Sequence, residues 1–334
     1  MTPWSTPALL LLGIVAGPHG LNFLSPAVLL LVDPGIAMAL AMLGVFVGLS
    51  FDPRQPRMGR LIAASGLRSL TTVLAVGSAA FSASWYWLNP GSPALLIALA
   101  LGVCASVSDA AADVNIDDVL MSVAGGLVVG ALRSAAPGPV LPLTVALVGI
   151  SIAVAVAAWL LVGQTDVEGE QHVFVVGSLL LIGGAATYLF LSAVLAGLIA
   201  GLVWNLAGNL SKPRIMRDLQ YFQHPLVVLA LLAAGAGAAL SIEVVALAAI
   251  FVAVRAMSRL IGVRMAERLT EMPVAGENAS SLISAGLVGI ALALDVFRAD
   301  GASELGAMLL GAIVVGTIAS EAVGLLLPGR GAVA

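Results

Sequence analysis

The chain has 334 residues, of which 60% are hydrophobic and only 10% charged, and its mean hydropathy is +1.11. A soluble domain carries about 25% charged and about 45–50% apolar residues, so this composition excludes a water-soluble globular protein. The net charge of −4 comes with no basic tract for nucleic acid and no acidic tail, and the single cysteine, Cys104, excludes an internal disulfide.

A transmembrane helix takes about 20 apolar residues, so about a dozen would consume most of the chain and leave no loop able to hold a soluble domain. Turn and charge punctuation divides the sequence into apolar segments near 4–17, 34–51, 59–83, 93–109, 118–135, 140–163, 172–190, 192–209, 223–241, 243–262, 279–297 and 304–327. Their continuous apolarity, without ten-residue alternation, predicts helices and not a membrane barrel. The N-terminal MTPWSTPALLLLGIVAGPHG has no positively charged leader and is expected to be the first membrane segment. Arg54, Arg57, Arg60, Lys212, Arg214, Arg217, Arg264, Arg268 and Arg330 fall on one side of alternating spans, against Arg133 and Arg298 on the other. The positive-inside rule then places both termini in the cytoplasm, for a protein of the cytoplasmic membrane in contact with the lipid bilayer.

Several stretches resemble one family in chain order. Residues 13–51, GIVAGPHGLNFLSPAVLLLVDPGIAMALAMLGVFVGLSF, resemble the opening of the monovalent cation:proton antiporter superfamily, the sodium/hydrogen exchanger-like membrane domain. Leu67 to Trp85 and Ala94 to Ala112, ending in SVSDAA, look like its third and fourth helices. LSAVLAGLIAGLVWN within Leu179 to Asn209, VAVRAMSRLIGVRMAER over Val252 to Arg268, and VVGTIASEAVGLLLPG over Val314 to Gly329 are similar to later helices of the family. The resemblance implies an all-α polytopic membrane protein of about twelve transmembrane helices, with an inverted repeat and interrupted helices. It implies one transmembrane domain over 1–334, with core helices near 59–135 and 243–327 and the remainder serving as scaffold and dimer interface. The implied activity is exchange of a monovalent cation, Na⁺ or K⁺, for protons, by a homodimer without cofactor. No metal motif, nucleophile–base set or nucleotide-binding loop points to an enzyme. The alternative is an antiporter-like membrane scaffold or sensor that does not transport.

A charge deep in a helical span costs at least about 2.5–3.5 kcal/mol and therefore usually faces the bundle interior or water. Arg68, Asp109, Arg255, Arg259, Asp295 and Glu321 meet that description. With a rise of about 1.5 Å per residue, Asp109, Arg259 and Glu321 sit roughly 22–26 Å from the outer ends of their helices, with Arg255 one turn shallower. Asp109, flanked by Ser106 and Ser108, reads either as an ion or proton ligand at a helix-4 break or as an interfacial residue. Arg255 and Arg259 read as basic partners competing with a cation for a core carboxylate, as salt-bridge partners of Glu321, or as snorkelling side chains. Glu321 reads chiefly as a counter-ion. Arg68 needs a partner, in the helix-4 region or at a backbone carbonyl. Asp295 is expected at the outer interface, and His19, His172 and His224 at or beside loops.

One departure stands out. Transporting members of the family carry an Asn-Asp, Asp-Asp or Gln-Asp pair in mid-helix five, where this chain reads VLMSVAGGLVVGAL. Asp117 and Asp118 form a pair at the entrance of that helix. Either the principal carboxylate is absent, or the stretch is rearranged so that Asp117 and Asp118 dip into the site.

Overall fold

In a computed structural model of the chain the described residues are 5–51, 58–87, 92–107, 116–133, 140–164, 168–189, 191–207, 212–270, 286–301 and 303–326. Among them the chain forms α-helices and no strand. In order these are α1 (Ser5–Ala16), α2 (Pro26–Ser50), α3 (Met58–Trp87), α4 (Ser92–Ser106), α5 (Ile116–Arg133), α6 (Val140–Gln164), α7 (Glu168–Leu189), α8 (Ala193–Leu206), α9 (Lys212–Gly237), α10 (Ile242–Thr270), α11 (Leu287–Ala299) and α12 (Glu304–Leu326). Seven of them are long and apolar enough to cross a bilayer, while the apolar stretches of α1, α4 and α8 are shorter. The chain is thus an all-helical, multi-pass membrane protein.

Most segment boundaries fall within a few residues of those read from the sequence, and the exceptions have local causes. Helix α2 begins at Pro26, not at 34, because Ser25 caps it, accepting from the Val28 N–H, and Pro26 occupies the first turn, where no amide hydrogen is needed. Pro34 lies inside the helix; a proline there removes one intrahelical bond, which a neighbouring helix can offset. Helix α9 begins at Lys212, before the polar run that precedes its apolar stretch, and carries Pro225 internally. Helix α11 runs over 13 residues from Leu287 behind Gly286, and residues 279–285 of the segment read from the sequence lie outside the described residues.

The helices pack chiefly within two groups. In one, α3 lies against α4 and α10, and α12 against α10 and α11. In the other, α2 lies against α7, α8 and α9, α1 against α9, and α6 against α7 and α8. Contact between the groups runs mainly through α5 with α8 and through α11 and α12 with α9. The end of the bundle carrying residues 17–25 is the one the charge rule assigns to the outside, and it is called the outer end below.

Lipid tails are as apolar as leucine, so helices in a bilayer associate through close van der Waals packing and polar contacts. Glycine permits the closest approaches here. A Cβ at Gly197 of α8 would lie 2.7 Å from the Ala41 carbonyl carbon of α2, and one at Gly289 of α11 would lie 2.9 Å from the Cys104 carbonyl oxygen of α4. Polar side chains add anchors. The Trp204 indole N–H donates to the Ala155 carbonyl at 2.7 Å, tying α8 to α6, and the Asn205 amide donates to the carbonyls of Gly48 and Phe51, capping the end of α2.

Gly197→Ala is expected to lower stability by about 1–3 kcal/mol or more, because the methyl group meets backbone that cannot rotate away. Gly59→Ala, where a Cβ meets nothing within 4 Å, is expected to be neutral or slightly stabilising. Thermal unfolding of the purified variants in detergent checks the pair.

Candidate ion site at the interrupted helix

Every α-helix leaves its last carbonyls without intrahelical partners, and in a bilayer no water is at hand to bond them. Helix α4 stops at Ser106 in the interior: Ala105, Ser106 and Val107 are all buried. Four carbonyls at this end are met by side chains. The Ser106 hydroxyl donates to the Val103 carbonyl at 2.8 Å. Arg255 of α10 donates through Nε to the Ala105 carbonyl at 2.7 Å and through Nη2 to the Val107 carbonyl at 2.8 Å. Arg259 donates through Nη2 to the Ser106 carbonyl at 2.9 Å. Spaced four residues apart, the two arginines project from one face of α10. Both are essentially fully buried, at 0% and 1% exposure. They bring positive charge to the negative end of the α4 macrodipole, and the planar fork of Arg255 reaches two carbonyls at once.

Immediately beyond this end the sequence reads Ser108 and Asp109, which lie outside the described residues. The chain resumes at α5, whose first turn carries Asp117 and Asp118 at 0% and 4% exposure. The Asp117 carboxylate pairs with the Arg68 guanidinium and accepts from the Ser65 hydroxyl, both on α3. One partner of Arg68 is therefore an acid on a neighbouring helix of its own group. The Asp pair stands at the entrance of α5, as its sequence position says, but the packing of α5 on α3 buries it. Glu321 of α12 is half-buried.

Asp295 departs from expectation. It is 2% exposed, and it accepts from the Ser192 hydroxyl at 2.6 Å and from the N–H groups of Ala193 and Val194 at 3.3 and 3.4 Å. These donors form the N-terminus of α8, where Ser192 also caps the Leu195 N–H at 3.0 Å, so a carboxylate sits at the positive end of a helix dipole. One turn further along α11, Arg298 binds Asp33 of α2 through two nitrogens at 2.8 and 2.7 Å and reaches the Thr187 hydroxyl of α7 at 3.2 Å. Sequence reading missed Asp33 because Asp33-Pro34 looks like a turn. The available signal was a run from Pro26 to Ser50 that is apolar on both sides of Asp33 and is preceded by a serine cap. His19 and His224 are exposed, whereas His172 lies 3.5 Å from Asp218, a buried acid of α9. Among the described residues no cluster of metal-ligating side chains occurs.

The architecture defines a class: a multi-pass helical membrane protein whose fourth helix ends inside the bundle on arginine-held carbonyls. The chain has the fold of a solved sodium proton antiporter, MjNhaP1 from Methanocaldococcus jannaschii, with a TM-score of 0.57 and 14% identity over 95% of this chain and 89% of that one. No family model and no curated protein matches the chain.

Two stability predictions follow from the buried contacts. Arg255→Met is expected to strand the Ala105 and Val107 carbonyls, at about 1–3 kcal/mol each, and Arg255→Lys to recover only part of the loss because an ammonium lacks the fork. Arg68→Leu is expected to cost about 3–5 kcal/mol by leaving Asp117 buried and uncompensated, whereas the double replacement R68L/D117L recovers most of it. A double-mutant cycle on thermal unfolding in detergent reads both.

Proposed function

We propose that this protein is a secondary transporter that exchanges a monovalent cation, Na⁺ or K⁺, for protons across the cytoplasmic membrane, with both termini in the cytoplasm. The observation that carries the reading is the end of α4, where buried arginines hold the carbonyls of Ala105, Ser106 and Val107 at the start of the SVSDAA segment. Interrupted helices at such positions bring backbone dipoles and side chains to an ion in the middle of a membrane. The likeness to a sodium proton antiporter supports the same reading.

Antiport needs a group that binds either ion but not both, its proton affinity set by burial and a nearby positive charge. Asp109, with Ser106 and Ser108, is the acid assigned to that task, and Arg255 is the fixed positive charge that competes with the cation. The alternative acids are Asp117 and Asp118. Asp117 pairs with Arg68. Transport moves the α3–α5/α10–α12 group against the other helices in each protomer of a homodimer.

A second reading has its own support. The donors of Arg255 and Arg259 described above are spent on backbone carbonyls and Arg68 is spent on Asp117, an arrangement equally suited to a membrane scaffold or sensor that keeps the fold without moving ions.

Reconstitution into pH-loaded vesicles separates the readings. Proton release on addition of Na⁺ or K⁺ is expected from the parent protein and is expected to vanish in Asp109→Asn. Flux that survives in Asp109→Asn but vanishes in Asp118→Asn moves the site to α5. No flux with either cation, from protein of unchanged thermal stability, supports the scaffold.

A further inference from the structure

We propose that Asp33, Arg298, Ser192 and Asp295 form a two-point latch between the two helix groups, whose release opens the outer cavity beside it toward the middle of the membrane. The inference rests on the antiporter reading in one respect, that the two groups move relative to each other. Its evidence is separate from the candidate ion site.

Asp295 and Arg298 are three residues apart on α11 and therefore share a face. Every hydrogen-bond partner described for their side chains belongs to the other group: Asp33 on α2, Thr187 on α7, and Ser192 with two backbone N–H groups at the start of α8. One short helix is thus fastened to three helices of the opposite group, by a two-pronged guanidinium–carboxylate pair and by a carboxylate on a helix N-terminus. Both are charge-assisted and directional, the kind of contact that is made or broken rather than stretched. The pair is mostly shielded, with Arg298 and Asp33 side chains 15% and 29% exposed, so it is stronger than a surface ion pair yet within reach of water.

The surroundings show what the latch closes. A cavity of about 560 Å³ lies between the groups at the outer end, walled by Leu29, Ile36, Thr187, Ala233, Leu294 and Phe297 among others, with Asp33, Asp295 and Arg298 in its lining. Along α11 its lining reaches no deeper than Leu294. About 10 Å further down the helix, at 1.5 Å per residue, Val288 packs against an apolar cluster of Val47, Leu195 and Leu198. That seam joins the groups through apolar side chains, and the latch ties the same two groups together in the wall of the cavity above it. Released, the site holds two carboxylates against one guanidinium, so its sign favours entry of a cation over an anion.

The test uses Val288→Cys as a reporter in a Cys104→Ala background, in sealed vesicles, with a membrane-impermeant maleimide added to the face bearing residues 17–25. With the latch intact the reporter is expected to label slowly. In Arg298→Ala and in the milder Asp33→Asn, labelling is expected to accelerate about tenfold or more as the released population grows. The charge-exchanged pair D33R/R298D is expected to return the rate toward that of the parent, which a mere loss of folding does not produce. Equal rates in parent and single variants overturn the latch, as does an exchanged pair that labels as fast as Arg298→Ala. Proton flux measured on the same vesicles keeps the two claims apart. Latch-dependent labelling without cation-driven flux sinks antiport and leaves the latch, and flux with unresponsive labelling does the reverse.

Discussion

A helix that ends within a bilayer must have its open carbonyls bonded, and the rest of this structure is arranged around that requirement at α4. The Ser106 hydroxyl turns back on Val103, and two arginines from α10 take the carbonyls of Ala105, Ser106 and Val107. This fixes α10 against α4 and places two positive charges beside the end of that helix. The fixed charges are permanent, since a guanidinium does not lose its proton in a protein. Any carboxylate brought near them therefore titrates in a field set by the fold, which is what a group shared between a proton and a metal cation requires.

The same logic recurs with opposite sign at the outer end. There the open groups are the N–H donors at the start of α8, and the charge that meets them is Asp295 from α11. The two sites differ in what they join. The arginines hold helices of one group together, whereas Asp295 and Arg298 tie that group to the other. Glycines bring backbones into close contact within each group, and the groups meet through polar ties and an apolar seam.

The fold was legible because a bilayer admits few solutions: long apolar runs are helices, and charge asymmetry and turn residues mark their ends. The shared face of Arg255 and Arg259 was readable from spacing alone. Their partners were not, because the acceptors are backbone carbonyls and every residue has one. Pro34 misled the reading of α2, since a proline inside a membrane helix and a proline ending one look alike in a single sequence. Asp295 looked interfacial from its distance along the span, but its burial comes from α8, which lies about 100 positions away in the chain. Likewise Asp117 marks the start of a helix in sequence, and only the placement of α3 alongside α5 turns it into half of a buried pair. Position along a helix can be counted; the neighbour across from it has to be seen.

The central claim is that a proton and a monovalent cation compete for one acid beside the arginine-held end of α4. The most direct measurement is thermal unfolding of the detergent-solubilised protein as a function of Na⁺ and K⁺ concentration at several pH values, since a ligand that binds the native state raises its stability by mass action. The account predicts a melting temperature that rises with one of these cations at alkaline pH, with the cation response fading as the acid is protonated. A melting temperature indifferent to both cations at every pH, or a cation response that does not change with pH, would contradict it.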